Sequence, residues 1–270
     1  MARRPDGPPP PPAVQRLRLR YAKRGRLRFS SHRDFQRAFE RALRRAGVPM
    51  AYSAGFNPHP KVSYANAAPT GAASEAEYVE IAVTQVCDPE RVRAVLDESL
   101  PPGLDVVEVV EAGPGALAER LQASRWEIRL DGVEPTDAQQ AVAAFLAADE
   151  VPVERLTKNG VRRFDARRSV AALTVAAVDT DAGAVPADAA RHPEATGGSC
   201  AILQVVIRHG GSTNELPSVR PDDVITGLRS VADLAPPVAP AVTRLAQGPL
   251  DEETVTVGDP LVPDRSAVRG

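Results

Sequence analysis

The ten residues from Tyr52 to Lys61 combine the residue types from which a binding loop is built. Gly55 can adopt backbone angles that are closed to other residues, and the two prolines fix their own φ and favour extended backbone before them. A loop of this composition is expected to be stiff. Asn57 could then hydrogen-bond a base edge or a sugar, and Lys61 could bind a phosphate.

The aromatic residues of the same loop, Tyr52 and Phe56, offer ring faces on which a base could stack. The alternative is a structural turn, in which Phe56 packs into the core and Asn57 caps the backbone. The sequence leaves both interpretations open.

A row of arginines precedes the loop, on a segment that the sequence predicts to be a helix. Arg33, Arg37 and Arg41 are spaced by four residues and therefore lie along one edge of a helix, which Arg44 extends. The guanidinium group donates hydrogen bonds in pairs and suits phosphate oxygens. An ordinary solvated helix face is the alternative.

Charge is distributed unevenly along the chain, although the net charge is only −2. Residues 1–65 carry 15 Lys and Arg against 3 Asp and Glu, whereas the rest carries 18 against 32. A predicted strand alternates Arg16, Arg18 and Arg20, so we expect it to share one basic platform with the helix. The imbalance favours a polyanionic partner, and a basic face neutralised by nearby acidic surface is the alternative.

Two histidines are candidates for acid–base catalysis. His32 begins the arginine helix and His59 lies in the following loop, and an imidazole exchanges protons near neutral pH. A hydrogen-bonded structural histidine is the alternative. No third ligand stands at a suitable spacing, and Cys87 and Cys200 form no metal-binding motif, so we expect no metal site and no cofactor in this chain.

Hydrophobic periodicity predicts the elements that must position these residues. Residues 14–113 are predicted to follow the order β-α-β-β-α-β, with the arginine helix capped by Ser31 and Asp34 and ended by Gly47. Residues 124–235 repeat most of this order. We therefore predict an α+β fold of two tandem ferredoxin-like units with antiparallel sheets.

The remaining segments are predicted to lie outside the elements of the two units. Residues 1–13 form a proline-rich tail that we expect to be disordered, and residues 178–199 form a loop insert. Residues 236–270 are expected to be a partly mobile C-terminal extension. No apolar run approaches the ~20 residues of a membrane span, and the N-terminus lacks the apolar core of a signal peptide, so we expect a cytoplasmic protein.

Three segments, from Arg28 to Asp34, from Arg41 to Pro49 and from Ala51 to Lys61, resemble the radical SAM-linked protein family. This is a domain of unknown function found beside, or fused to, radical-SAM proteins. The resemblance implies a radical-SAM protein as partner. That partner would carry S-adenosylmethionine and an iron–sulfur cluster, because the cluster motif needs three closely spaced cysteines and this chain has two.

We therefore expect an accessory protein that binds RNA, either tRNA or rRNA, and presents it to a radical-SAM partner without being an enzyme itself. The residues expected to bind RNA are Arg33, Arg37, Arg41, Arg44, Tyr52, Phe56, Asn57, His59, Lys61, Lys158 and Arg167. One alternative is a metal-independent RNA-processing enzyme that uses His32 or His59. Another is a protein–protein adaptor. The oligomeric state is left open.

Overall fold

A computed structural model describes residues 10–158, 160–176, 199–210 and 216–267. Residues 1–9 of the predicted tail and residues 178–198 of the predicted insert lie outside this described part. None of the helices in the described part is long and apolar enough to cross a membrane.

The described residues form helices together with antiparallel strands, which confirms the α+β class. The strands are β1 Gln15–Lys23, β2 Val62–Ala65, β3 Ala73–Val83, β4 Leu104–Glu111, β5 Ala123–Asp131, β6 Pro152–Thr157, β7 Gly160–Asp165, β8 Val170–Val175, β9 Cys200–Arg208, β10 Ala241–Gly248, β11 Leu250–Asp251 and β12 Thr256–Val257. The helices are α1 His32–Arg45, α2 Pro89–Ser99, α3 Leu117–Arg120, α4 Pro135–Ala147, α5 Pro221–Ala232 and α6 Val262–Ala267.

The chain divides into two compact units, Met1–Leu117 with Leu261–Gly270 and Ala118–Pro260. In the first unit, antiparallel strands lie in the order β4-β1-β3-β2. Alternate residues of β1, such as Leu17, share a buried core with Phe39 of α1 and Leu96 of α2. One face of this sheet is therefore covered by the two helices, and the intervening residues point to the opposite face.

Helix α1 begins and ends where the sequence predicts. The Ser31 hydroxyl accepts from the Asp34 backbone N–H at 3.2 Å, and the Asp34 carboxylate accepts from the Ser31 N–H at 3.3 Å, which completes a capping box. Gly47 follows the helix with φ +65°, a conformation that glycine adopts readily. Phe35 is buried and stacks on Tyr21 at 4.2 Å. This packing fixes which side of α1 faces the solvent.

The second unit contains four antiparallel strands in the order β10-β5-β9-β8. Strands β6 and β7 pair with each other as a separate hairpin, and β11 and β12 form a second small hairpin. Phe145 of α4 and Leu228 of α5 are fully buried, as are Ile128 and Leu203 of the sheet. Helices α4 and α5 therefore contribute to the core of this unit.

Within the expected extension at residues 236–270, the described part contains β10 and α6. Strand β10 pairs with β5 along its length. It breaks the apolar alternation because Arg244 and Gln247 are buried polar residues. The Arg244 guanidinium lies 5.1 Å from the centroid of the Trp126 ring, and its Nη1 donates to Gln247 Oε1 at 3.3 Å. Such contacts leave no periodic signal in the sequence.

Helix α6 is held in the first unit by a buried ion pair. Arg18 of β1 is fully buried, and its Nη1 donates to the two carboxylate oxygens of Asp264 at 2.8 and 3.0 Å. Its Nε donates to Glu80 at 2.9 Å. Asp264 also accepts from the backbone N–H of Gly113 at 2.9 Å. The end of the chain is thus bound to the sheet through charge rather than through an apolar stripe.

We predict that Asp264→Ala lowers the free energy of unfolding by about 3–5 kcal/mol, because Arg18 would keep a buried charge without its main partner. Guanidinium unfolding followed by circular dichroism measures the change. Glu90→Ala is the control, since Glu90 pairs with Arg93 at the surface, where a pair contributes about 0–1 kcal/mol. Equal losses in both variants would contradict the role assigned to the buried pair.

Candidate functional site

The predicted arginine row lies on the solvent side of α1. Arg33, Arg37, Arg41 and Arg44 are all exposed. At helical geometry they fall within a sector of about 80° and extend over about 16 Å. Hydrogen bonds from Ser31 lower the pKa of Asp34, and the nearby Arg37 adds to this effect. Arg33, Arg41 and Arg44 form no ion pair with the described residues.

The arginines of β1 differ from the expected basic platform, because each is paired with a carboxylate. Arg18 is buried between Glu80 and Asp264. Arg16 pairs with Glu80 at 3.5 Å, and Arg20 pairs with Glu108 at 3.8 Å. Arg24, directly after the strand, pairs with Asp105 at 2.6 Å and with Glu75. The exposed row that lacks carboxylate partners therefore belongs to α1 and does not continue across the strand.

The loop from Tyr52 to Lys61 is fixed at its base by backbone hydrogen bonds. The Ser53 N–H donates to the His59 carbonyl at 2.9 Å, and the His59 N–H donates to the Ser53 hydroxyl at 3.0 Å. Tyr52 and Pro60 form an isolated antiparallel bridge. Gly55 has φ +139°, which a residue with a side chain rarely adopts. The two sides of the loop are therefore held in register below its tip.

The tip of this loop presents its side chains to solvent. Phe56 is 65% exposed, so the alternative in which it packs into the core is wrong. Tyr52 and Asn57 are also exposed, and the Asn57 side chain makes no hydrogen bond with the described residues. An aromatic ring and an amide group are thus free for a ligand.

Phe29 is a further exposed aromatic residue, which was not among the predicted site residues. It ends the 3-10 helix Gly25–Phe29 and is 59% exposed. The Arg28 guanidinium lies 4.8 Å from the centroid of its ring, and the Arg28 carbonyl accepts from the Gly71 N–H at 2.8 Å. The available signal was the Arg28-Phe29 pair shortly before the helix cap. Hydrophobic periodicity, however, does not predict whether such a pair is buried or exposed.

A cleft of about 360 Å³ lies beside the base of the loop. Arg16, His59 and Lys61 contribute its basic lining, and Glu80 contributes a carboxylate. Glu80 precedes the core residue Ile81 on β3, and neighbouring residues of a strand point to opposite faces. The structure therefore brings His59 and Lys61 together on the sheet face opposite α1 and α2, away from the arginine row.

No contact joins His32 with His59 in the described part of the chain. His32 Nε2 lies 3.0 Å from the side-chain nitrogen of Gln36, and its ring meets the Tyr64 ring edge-on at 5.1 Å. The Tyr64 hydroxyl is buried without a hydrogen-bond partner among the described residues, and burial raises the pKa of Tyr64. His32 nevertheless remains exposed, with its ring between Gln36 and Tyr64.

Lys158 and Arg167 lie in the second unit. Lys158 is exposed in the turn of the β6–β7 hairpin. Arg167 donates from Nη1 to the Val170 carbonyl at 3.1 Å, and its own N–H donates to Asp165 at 2.9 Å. Arg167 is thus partly engaged in local structure, whereas Lys158 reaches the solvent.

The described residues contain no group of three or more His, Cys, Asp or Glu side chains that could hold a metal ion. Neither Cys87 nor Cys200 forms a disulfide.

The second unit contains a buried serine–histidine pair that the sequence analysis did not select. Ser124 Oγ lies 2.9 Å from His209 Nε2, and His209 Nδ1 lies 2.9 Å from the Leu121 carbonyl. Trp126 Nε1 donates to the same hydroxyl at 2.6 Å. The arrangement of hydroxyl, imidazole and carbonyl resembles that around an activated serine nucleophile. Ser124 is only 1% exposed, however, so a substrate could not reach it. The pair stabilises the core of this unit.

His209 makes the stability of the second unit depend on pH. Burial lowers the pKa of His209, although the hydrogen bond to Leu121 opposes this and Arg244 reinforces it. The unfolded chain therefore takes up a proton at a higher pH than the folded chain. We predict that the free energy of unfolding falls as the pH drops below about 6.5, by up to about 1.4 kcal/mol per pH unit.

Fluorescence of Trp126, the only tryptophan in the chain, reports this unfolding. His209→Gln is the comparison variant, because an amide can hydrogen-bond both neighbours without titrating. The variant should show a flatter pH dependence. Identical slopes for the two proteins between about pH 6.5 and pH 5 would contradict the prediction.

Comparison with known proteins identifies the family of this chain. No curated protein matches the chain. The family model described as "Uncharacterized protein conserved in bacteria (DUF2344)" matches residues 16–217. This match exceeds half of the chain and includes α1, the loop and the cleft. The chain therefore belongs to the DUF2344 family of uncharacterized proteins conserved in bacteria.

Proposed function

We propose that this protein binds RNA through the arginine row of α1 and acts as an accessory protein to a radical-SAM enzyme, without an iron–sulfur cluster of its own. The observation that carries RNA binding is the contrast in pairing within the first unit. Each β1 arginine is paired with a carboxylate, whereas Arg33, Arg41 and Arg44 have no such partner in the described part of the chain. Exposed guanidinium groups in a row are available to phosphate oxygens.

Exposed aromatic rings near the basic residues favour a single-stranded RNA ligand. Phe29 lies just before α1, and Phe56 lies at the loop tip. A base that stacks on such a ring contributes about 1–3 kcal/mol, and unpaired bases are accessible in the loops of tRNA and rRNA. The arginines would bind the backbone, while the rings would bind bases of any sequence. This combination supports affinity with little sequence preference.

We further propose that both units are ferredoxin-like. In the first unit the elements follow the order β1-α1-β2-β3-α2-β4, and the sheet order is β4-β1-β3-β2. In the second unit the order β5-α4-β8-β9-α5-β10 gives the sheet order β10-β5-β9-β8, with the β6–β7 hairpin inserted after α4. The two patterns coincide position by position, which supports a duplication of the β-α-β-β-α-β plan.

The radical-SAM partner is supported by the resemblance of residues 28–61 to the radical SAM-linked family. A radical-SAM cluster needs three closely spaced cysteines, and this chain has only Cys87 and Cys200. In this proposal the partner therefore supplies the S-adenosylmethionine and the cluster, and the present protein supplies RNA binding.

We predict that replacing Arg33, Arg37 and Arg41 together with Gln weakens binding of a short single-stranded RNA by about 10- to 100-fold. Three fewer phosphate contacts should also reduce the slope of log affinity against log salt by roughly 2. Fluorescence anisotropy between about 50 and 200 mM salt measures both quantities. Glutamine is a good helix former, so α1 should remain folded.

The control for this experiment replaces three exposed arginines elsewhere, Arg91, Arg125 and Arg229, with Gln. It changes the net charge by the same amount but leaves the row intact, so affinity and salt slope should stay close to those of the unchanged protein. Equal weakening in both triple variants would show that the change in net charge alone explains the loss of RNA affinity. No RNA binding by the unchanged protein would exclude the proposal.

A protein–protein adaptor is the second candidate, and the β6–β7 hairpin favours it. Leu156 and Val161 lie directly opposite each other and are both largely exposed, and such apolar patches mark protein contacts. We predict that, if the protein is an adaptor, tagged protein retains a radical-SAM enzyme after nuclease treatment at high salt. Replacing both residues with Ser should then release it. Release by nuclease alone would instead favour RNA as the link.

A further inference from the structure

We infer that the cleft beside the loop binds a phosphate monoester, at a site separate from the arginine row. The group is carried either by a free nucleotide or by the phosphorylated end of a nucleic acid. This inference does not depend on RNA binding by α1, because the cleft lies on the opposite face of the first sheet.

The charge balance of the cleft favours an anion. Its lining includes Arg16 and Lys61, together with the imidazole of His59. Its carboxylate, Glu80, also accepts from the buried Arg18, whose Nε donates to it at 2.9 Å. Arg16 lies 3.5 Å from the same carboxylate, but its side chain remains 60% exposed. Asp264 also offsets the charge of Arg18, so within the lining the two cations Arg16 and Lys61 face the single carboxylate of Glu80.

The cleft also offers hydrogen-bond donors that are already in place. The Ser53 hydroxyl accepts from the His59 N–H at 3.0 Å, and its own proton remains available for a ligand. Ser63 adds a second hydroxyl to the lining. Because backbone hydrogen bonds hold the loop base, these groups need little rearrangement on binding, which lowers the entropic cost of association.

Both size and shape favour a monoester over a phosphodiester backbone. A volume of about 360 Å³ lies near the lower end of the range for small-ligand sites. A phosphate monoester carries a charge of about −1.5 to −2 and presents three acceptor oxygens, so it suits cations that converge on one point.

Isothermal titration with adenosine 5′-monophosphate, and with adenosine as the matched compound, tests this inference. We expect the monophosphate to bind and adenosine to bind at least about 10-fold more weakly, since most of the attraction comes from the phosphate. The double variant Arg16→Gln/Lys61→Gln should lose at least about 10-fold in affinity for the monophosphate, whereas Lys61→Arg should retain binding. Circular dichroism of each variant establishes that it is folded.

Oligonucleotides distinguish the two sources of the phosphate. If the ligand is a nucleic-acid end, an RNA with a terminal phosphate should bind more tightly than the same RNA with hydroxyl ends, and the double variant should abolish the difference. If the ligand is a free nucleotide, the monophosphate should bind while the terminal phosphate gives no gain. Either result supports the monoester site.

The arginine-row variant separates this inference from the proposed function. Replacing Arg33, Arg37 and Arg41 with Gln should weaken RNA binding and leave the affinity for adenosine monophosphate unchanged. The inference is overturned if the monophosphate and adenosine bind equally, or if the folded double variant keeps full affinity for the monophosphate.

Discussion

Arg18 places a full positive charge in the middle of β1 at a position with no access to solvent. A charge in such a place is tolerated only when oppositely charged and hydrogen-bonding groups surround it. Asp264 and Glu80 provide the carboxylates, and the Gly115 carbonyl accepts from the second Nη at 2.5 Å. This requirement fixes α6 in the first unit, because Asp264 has to reach the strand. It also gives Glu80 a buried hydrogen-bond partner beside the neighbouring cleft.

The need to pair charges near the sheet also distinguishes arginines that stabilise the fold from arginines that are available to a ligand. On β1, alternation puts the arginines on a face that also receives carboxylates from β3, β4 and α6, so pairing is built into the sheet. On α1, the aromatic residues Phe35 and Phe39 occupy the inner side and contact the Tyr64 ring. The arginines of the helix then point to solvent, where no strand faces them. Availability to a ligand thus follows from the layer in which each arginine lies.

Sequence reasoning succeeded where local signals decide the structure. The capping box of Ser31 and Asp34, together with Gly47, defines α1, because caps act over three or four residues. It failed where distant residues decide. Arg18 looked like a surface residue because its partner Asp264 is 246 positions away. Strand β10 was not predicted, because the buried residues Arg244 and Gln247 hydrogen-bond each other and interrupt its apolar pattern. The exposure of Phe29 was not predicted either, because residues outside long helices and strands follow no periodic pattern from which exposure could be inferred.

The placement of the loop connects these observations with function. The same chain segment leaves α1, passes the exposed tip at Phe56 and enters β2 with Lys61 at the cleft. Arginines spread along a helix suit charges that are spread along a backbone, whereas cations that converge on a cleft suit a single concentrated charge. A ligand that has both features, a chain with a phosphorylated end, would use both faces of the first unit. A ligand with only one feature would use only one face, and the stiff loop base would then serve mainly to keep Lys61 and His59 beside Arg16.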